Sequence, residues 1–363
     1  METVIALAVA FAAVVVLRAL WARRRRAERR ETEFEEQHPM GDRAVVAQPH
    51  LVASSGPLQR PSLTPGEPAV EVSHVSKSFK GNKVVDDISF EVNQGEVFGM
   101  VGPNGAGKTT TIRMLMDIIK PDAGAIRIVS QPLSERTKNR IGYLPEERGL
   151  YRKITVSDTL SYLAALKEVD RGRASARAAE LLRAVNMFEH RKKKVEELSR
   201  GMGQIIQFIA TILHEPDLIV LDEPFSGLDP VNTELLKGFI HDLKGQGRSI
   251  ILSTHMMNQV EELCDRFLMI NRGEAVLYGS LEEIRSRFRD NSIIVECDHL
   301  PPELTGIVRT VDHGRYVELF LDGGTSPREV LRALVDSGAE VDRFEVSTPS
   351  LHEIFIQVAG GGQ

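Results

Sequence analysis

Apolar and polar positions begin to alternate near Ala69, where AVEVSHVSKSF and KVVDDISFEV each read as a strand, with Gly81 and Asn82 as the turn signal between them. EVFGMVG continues as a buried strand running into glycine, and TTTIRMLMDII carries its apolar residues at helical spacing. Strand, glycine loop and helix therefore follow in that order. Between Val156 and Glu197 the period becomes helical: TVSDTLSYLAAL opens on a Thr-x-x-Asp cap signal, and RASARAAELLRAVNMF repeats Leu and Val at i, i+3 and i+4. These predict an inserted helical subdomain over about 150–200. DLIVLDEP and RSIILSTH are apolar runs separated by the helical VNTELLKGFIHDLK, the alternation of a parallel sheet flanked by helices. From about Asn291, SIIVECD, RYVELFLD, the helix SPREVLRALVDSG, the strand RFEVS and the helix SLHEIFIQVA predict a small α+β domain over 291–363.

The first 68 residues carry a different pattern. Val4 to Ala22 hold one charge, Arg18, near the end of a run almost long enough to span a hydrocarbon layer of about 30 Å. An Arg block follows at Arg23 to Arg26. Residues 1–30 are expected to form a membrane anchor with a basic flank, since a secretory leader would place positive charge before the apolar run. A start codon upstream of the true one is the alternative. The positive-inside rule puts everything from Arg23 onward in the cytoplasm, against the inner membrane. Residues 31–68 mix charge, Gln, Ser, Gly and six prolines without apolar periodicity, and read as a disordered linker.

Charge sharpens this division. The 363 residues carry a net −6, but the seven Arg and two Glu of residues 1–30 leave −11 on the rest. An acidic body argues against a partner held by broad electrostatics such as nucleic acid. Cys264 and Cys297 form no metal or disulfide pattern. The basic run His190 to Lys194 reads as a solvated helix end, with contact to anionic lipid or a partner as the alternative.

The chemistry-bearing residues lie in the predicted α/β part. Gly102, Pro103, Asn104, Gly105, Ala106, Gly107, Lys108 and Thr109 match the phosphate-binding pattern Gly-x-x-x-x-Gly-Lys-Ser/Thr, with Thr110 next, between a strand and a helix. Such a loop points backbone N–H groups at phosphate oxygens, the helix start adds its positive dipole end, Lys108 bridges the β- and γ-phosphates, and Thr109 ligates Mg²⁺. LIVLDEP places Asp222 at a strand end, where it can hold the Mg²⁺ shell, and Glu223 beside it, where it can polarise an attacking water. His255 closes IILSTH, within reach of the γ-phosphate and of that water. Phe79 precedes the loop; its ring can stack on a base, or it can be a core residue of the first sheet.

Together these motifs resemble the ATP-binding cassette family over about residues 69–290. The stretch ELSRGMGQ is similar to that family's Leu-Ser-Gly-Gly-Gln signature: Leu198, Ser199 and Gly201 match, while Arg200 and Met202 replace a Gly and the Gln. The resemblance implies that the signature opens a helix and faces the triphosphate held by a second copy, and that Ser226, Gly227, Leu228 and Asp229 form the loop connecting the two sites. Where the family usually has a Mg²⁺-touching glutamine, Glu146 stands. A carboxylate there can still ligate Mg²⁺. Within the family, GYLPEERGLY, DEPFSGLDPVN and the C-terminal α+β domain look most like the ATPase subunits of bacterial export systems, including the sodium-efflux type.

The resemblance implies an α/β P-loop NTPase fold: a RecA-like core with an antiparallel β subdomain and the inserted helical subdomain, followed by the small C-terminal domain and preceded by the single hydrophobic helix. It also implies hydrolysis of ATP with Mg²⁺, a homodimer or a heterodimer with another such ATPase, and a separate polytopic permease as partner. An ATP-driven clamp in translation or DNA repair, and a tethered module that holds ATP without turnover, are the alternatives. For the anchor, alkaline carbonate washing of membranes is expected to leave the full-length chain in the pellet; quantitative release would contradict an inserted segment.

Overall fold

The computed structural model describes residues 67–360 apart from 129–130, 133, 148, 289–290 and 302–303, all within the unit Pro49–Gln363. The anchor expected at 1–30 and nearly all of the linker expected at 31–68 lie outside the described residues. Among the described residues, no helix is long and apolar enough to cross a membrane.

A six-stranded sheet organises the molecule. Its order is β10 (Glu274–Ser280), β9 (Arg266–Asn271), β3 (Val97–Val101), β8 (Ser249–Thr254), β7 (Leu218–Asp222) and β6 (Ile141–Leu144). β9 to β6 run parallel, and β10 closes the edge antiparallel to β9. β3, β7 and β8 are buried at every position. Burial on both faces explains why they read as continuous apolar runs.

A second sheet, β2 (Asn82–Val92), β1 (Val70–Phe79), β4 (Ala123–Ile128) and β5 (Gln131–Pro132), is antiparallel. It meets the first where Phe90 stacks on Phe98 at 5.3 Å and where Asp86 N donates to Gly273 O at 2.8 Å. Between them packs α1 (Lys108–Leu115), whose Ile112, Met114 and Leu115 are buried.

The predicted helical stretch contains α3 (Val156–Leu166) and α4 (Arg171–Ala184); a short α2 (Glu135–Lys138) precedes them. Thr155 caps α3 by accepting from Asp158 N, the cap signalled in the sequence, and Asp170 caps α4. Both rest on α5 (Arg200–Ile212), a helix so apolar that Ile205, Ile206, Phe208 and Ile209 are all buried. α6 (Pro230–Gly245) packs beside α5, with Phe208 edge-on to Phe239 at 5.8 Å.

The remaining elements are α7 (Met257–Leu263), α8 (Leu281–Arg287), β11 (Ser292–Cys297), β12 (Ile307–Asp312), β13 (Val317–Leu321), α9 (Pro327–Asp336), β14 (Val341–Val346) and α10 (Leu351–Gly360). A third, antiparallel sheet runs β12-β13-β11-β14, with α9 covering the face that holds Ile293, Val295, Leu319 and Leu321. The last helix does not join that core. Leu351 and Ile354 are fully buried against Val101, Val260, Phe267 and Ile284, beneath the six-stranded sheet.

Phe208 fills the junction of α5 and α6, so Phe208→Ala is expected to cost about 3–5 kcal/mol of stability in urea unfolding. A loss below about 1 kcal/mol would mean that the two helices pack independently of that ring.

Candidate functional site

Strand register gathers the site. Val101 of β3 aligns with Thr254 of β8, Ser253 of β8 with Asp222 of β7, and Leu221 of β7 with Leu144 of β6. The residues that follow these positions therefore leave the sheet along one carboxyl edge: the loop from Gly102, then His255, Glu223 and Glu146. Ligands of open α/β sheets bind outside that edge.

The glycines of the loop meet two different demands. At Gly107, φ is +113° and a Cβ would lie 2.8 Å from Val84 O, so the antiparallel sheet presses directly on the backbone. At Gly105, φ is +78° and a Cβ would meet nothing within 4 Å, so the turn needs glycine for its left-handed conformation while its outer side stays open. Pro103, Asn104 and Gly105 are exposed, Gly102, Ala106 and Gly107 are buried, and Thr109 and Thr110 are half-buried.

Lys108 folds back over this loop. Its Nζ donates to Gly102 O at 2.6 Å and to Pro103 O at 3.2 Å, and stands 4.0 Å from Glu223 Oε1. Burial lowers its pKa from the ordinary lysine value, opposed by the charges of Glu223, Asp222 and Glu146. A cation held by loop carbonyls is ready to exchange them for phosphate oxygens.

Glu223 is placed by a strained backbone. Its φ is +50°, and Glu223 N donates to Ser253 O at 3.0 Å. The left-handed conformation costs a non-glycine residue roughly 1–2 kcal/mol. It turns the side chain back toward β8, where His255 Nδ1 lies 2.9 and 3.0 Å from the two carboxylate oxygens. His255 remains half exposed while Glu223 is largely enclosed.

Asp222 is fully buried, and neither of its carboxylate oxygens has a well-formed hydrogen bond. Burial raises its pKa above the ordinary carboxylate value; the nearby hydroxyls of Ser253 and Thr109 oppose the rise, and Glu146 and Glu223 add to it. Among the described residues no group of three or more His, Cys, Asp or Glu could cage a metal ion. One orphaned carboxylate beside a threonine hydroxyl instead fits a hard divalent ion that keeps its remaining ligands as water and phosphate oxygen. Glu146 is exposed just beyond β6, near enough for its charge to act on Lys108 and Asp222.

Of the other predicted residues, Ser226 touches this cluster through its backbone, its N–H donating to Glu223 O at 3.1 Å. Phe79 is 45 % exposed at the end of β1 with Lys77 Nζ 5.6 Å from its ring centroid, so it is not a core residue. Ser199 caps α5 by accepting from Met202 N at 3.3 Å; Ser199 and Arg200 are exposed, while Leu198 and Met202 pack partly against the core. Gly227 leaves room for Arg200: a Cβ there would lie 2.6 Å from Arg200 Nε. Gly201 approaches Leu228, and Ser226 is exposed. Asp229 caps α6, accepting from Asn232 N at 2.9 Å.

Three polar residues on α5 went unread in the sequence. Gln204 Nε2 donates to Pro224 O at 3.1 Å, Gln207 Nε2 to Pro145 O at 3.4 Å and Glu147 O at 3.3 Å, and the Thr211 hydroxyl to Tyr143 O at 3.3 Å. They tie the loops after β7 and β6 to one helix. Their signal was two amides and a threonine at i, i+3 and i+7 on an otherwise apolar helix.

Residues 85–226 match the family model described as ABC transporter, and residues 279–359 match the C-terminal domain of DrrA1-3-like ATP-binding proteins. The chain is 40 % identical over 292 residues to YhaQ of Bacillus subtilis, an uncharacterized ABC transporter ATP-binding protein, covering 80 % of this chain and 98 % of that one. It is 30 % identical over 305 residues to LnrL of the same organism, a linearmycin resistance ATP-binding protein, covering 80 % and 98 %. A solved ATP-binding subunit of an ABC transporter superimposes with a TM-score of 0.58 at 32 % identity, over 61 % of this chain and 93 % of that one.

Asp222 carries a stability signature that can be checked without ligand. Because its folded-state pKa is raised, the folded protein binds the proton more tightly than the unfolded chain, and stability falls as pH rises through that folded pKa. In EDTA at neutral pH, Asp222→Asn is therefore expected to raise the thermal midpoint, with the gain vanishing in acid. A lowered midpoint at neutral pH would mean that the carboxylate is already compensated.

Proposed function

The chain belongs to the ABC transporter ATP-binding proteins and is the ATPase subunit of such a transporter, and from this premise we propose how its residues bind and cleave the nucleotide. The observation that carries the assignment is the junction of Lys108, Glu223 and His255 beside the glycine loop, at one edge of a parallel sheet. The loop from Gly102 to Gly107, Thr109 and Thr110 surrounds the triphosphate of ATP, and Lys108 exchanges its carbonyl partners for phosphate oxygens. The exposed ring of Phe79 stacks on the base.

Asp222 and the Thr109 hydroxyl would hold Mg²⁺, with Glu146 at the rim of the same charge cluster. When bound, the ion would neutralise charge on the triphosphate. Glu223 accepts a proton from the attacking water as the new oxygen–phosphorus bond forms and the bond to the ADP oxygen breaks. His255 holds the Glu223 carboxylate in one orientation and steadies the same water.

The signature residues complete the site in trans. Leu198, Ser199, Arg200, Gly201 and Met202 face the triphosphate in a second copy, or in a related ATPase, and Ser226 to Asp229 connect the two sites. Exposed Ser199 at a helix N-terminus, with its own chain's connecting loop packed against Arg200 and Gly201, supports this placement. The polytopic permease docks beside Glu146 and the helical region, where Tyr151 and Tyr162 pair edge-on at 5.4 Å and, with Leu166, stay exposed. The relative named for linearmycin resistance favours export as the direction.

Glu223→Gln keeps the side chain's shape and removes its basicity. ATP turnover is expected to fall about 100-fold or more while ATP binding is retained. Hydrolysis at the parental rate would remove Glu223 as the base.

A further inference from the structure

His255 has to be held in place, and the element that holds it is α7. Thr254 Oγ1 donates to Gln259 Oε1 at 2.7 Å and accepts from Met256 N at 3.1 Å, so buried Thr254 and Gln259 lock the backbone on both sides of His255 to the first turns of that helix. The helix itself has no ladder of strand bonds to fix it. Its buried face, through Val260, lies in the cluster formed with Val101, Ile284, Leu351 and Ile354. Val101 is secured independently by pairing with β8 and β9. Lys237 of α6 also reaches this helix, its Nζ donating to both Glu262 carboxylate oxygens at 2.8 and 2.7 Å, while the apolar side beside Val260 is closed by the helix that ends the described chain.

Glu261, next to Val260, is the link. Its Oε1 accepts from Leu351 N, the first residue of α10, at 2.6 Å, and forms an ion pair with Arg285 Nη2 of α8 at 2.9 Å. Both partners belong to the span that matches the DrrA1-3-like C-terminal domain, whereas Glu261 lies outside both matched spans. A charge-assisted bond to a backbone N–H at a helix start is among the stronger polar contacts available. Truncating Glu261 would leave that N–H and Arg285 without this acceptor at the junction.

We propose that Glu261 is a positioning residue for ATP hydrolysis: it fastens α10 to α7, and α7 holds His255 Nδ1 against the Glu223 carboxylate. The C-terminal region thereby sets the turnover rate of a site to which it contributes no reacting group. The proposal rests on the roles assigned above to Glu223 and His255.

The test uses the full chain with MgATP and measures phosphate release across an ATP series for Glu261→Ala and Glu261→Gln, each with and without His255→Ala. Glu261→Ala is expected to lower kcat about tenfold with KM for ATP changed less than about twofold, the signature of a misplaced catalytic group. Glu261→Gln, whose amide oxygen still accepts from Leu351 N, is expected to recover to within about threefold of the parent. In the His255→Ala background Glu261→Ala is expected to change the residual rate no further. A parental kcat for Glu261→Ala, a Gln variant as slow as the Ala variant, a change confined to KM, or an equal fractional loss in both backgrounds would each overturn the proposal. The last of these is also what simple loss of folded protein produces. His255→Ala at the parental rate would instead remove the assignment of His255 on which the proposal depends.

Discussion

A buried carboxylate without a hydrogen-bond partner is the constraint around which the molecule is organised. Asp222 ends a strand with neighbours on both sides, and its oxygens are sealed from water. Leaving a charge in that state is expensive, and the protein's own response is incomplete. Lys108 lies near enough to feel Asp222 but spends its hydrogen bonds on loop carbonyls. A cation and a polyanion bound together would meet that deficit. The edge of the sheet is thus built as half of a site.

Everything else places groups around that deficit. Parallel pairing sets the loop, His255, Glu223 and Glu146 side by side although they are spread over about a hundred and fifty residues of chain. The antiparallel sheet closes on the loop from behind, so that Gly107 cannot carry a side chain. The polar stripe of α5 holds the turns after β6 and β7, so the helix that exposes Ser199 at its start also fixes backbone beside Glu223 and Glu146. Strain at Glu223 is tolerated because Ser253 and His255 hold it from two directions.

Much of this edge was legible in the sequence because its signals are local. A glycine loop between strand and helix, an acidic pair ending an apolar run, and a histidine ending another need only a few neighbouring residues to be recognised. The hairpin of β9 and β10 was not read: its turn puts Arg272 and Gly273 at φ +51° and +86°, a conformation usually marked by Asn-Gly or Asp-Gly. β6 spans only four residues, and β4 is mostly exposed, so neither shows a clear period. The last helix is legible as a helix and lies within the matched C-terminal span, but its packing against the six-stranded sheet is not legible. Its partners Val101 and Val260 are distant in sequence, and periodicity cannot name the far side of a contact. Gln204 and Gln207 were passed over because an amide carries no charge to draw attention, although their donors hold the turns next to the site.

In its proposed role, the buried Asp222 carboxylate is compensated by a divalent cation brought with the nucleotide. Equilibrium binding of ATP to the parent and to Asp222→Asn, each with Mg²⁺ and with EDTA, tests it directly. Mg²⁺ is expected to tighten binding to the parent, whereas Asp222→Asn is expected to bind metal-free ATP better than the parent does and to gain little from the ion. An equal gain from Mg²⁺ in both proteins would rule out that role for Asp222.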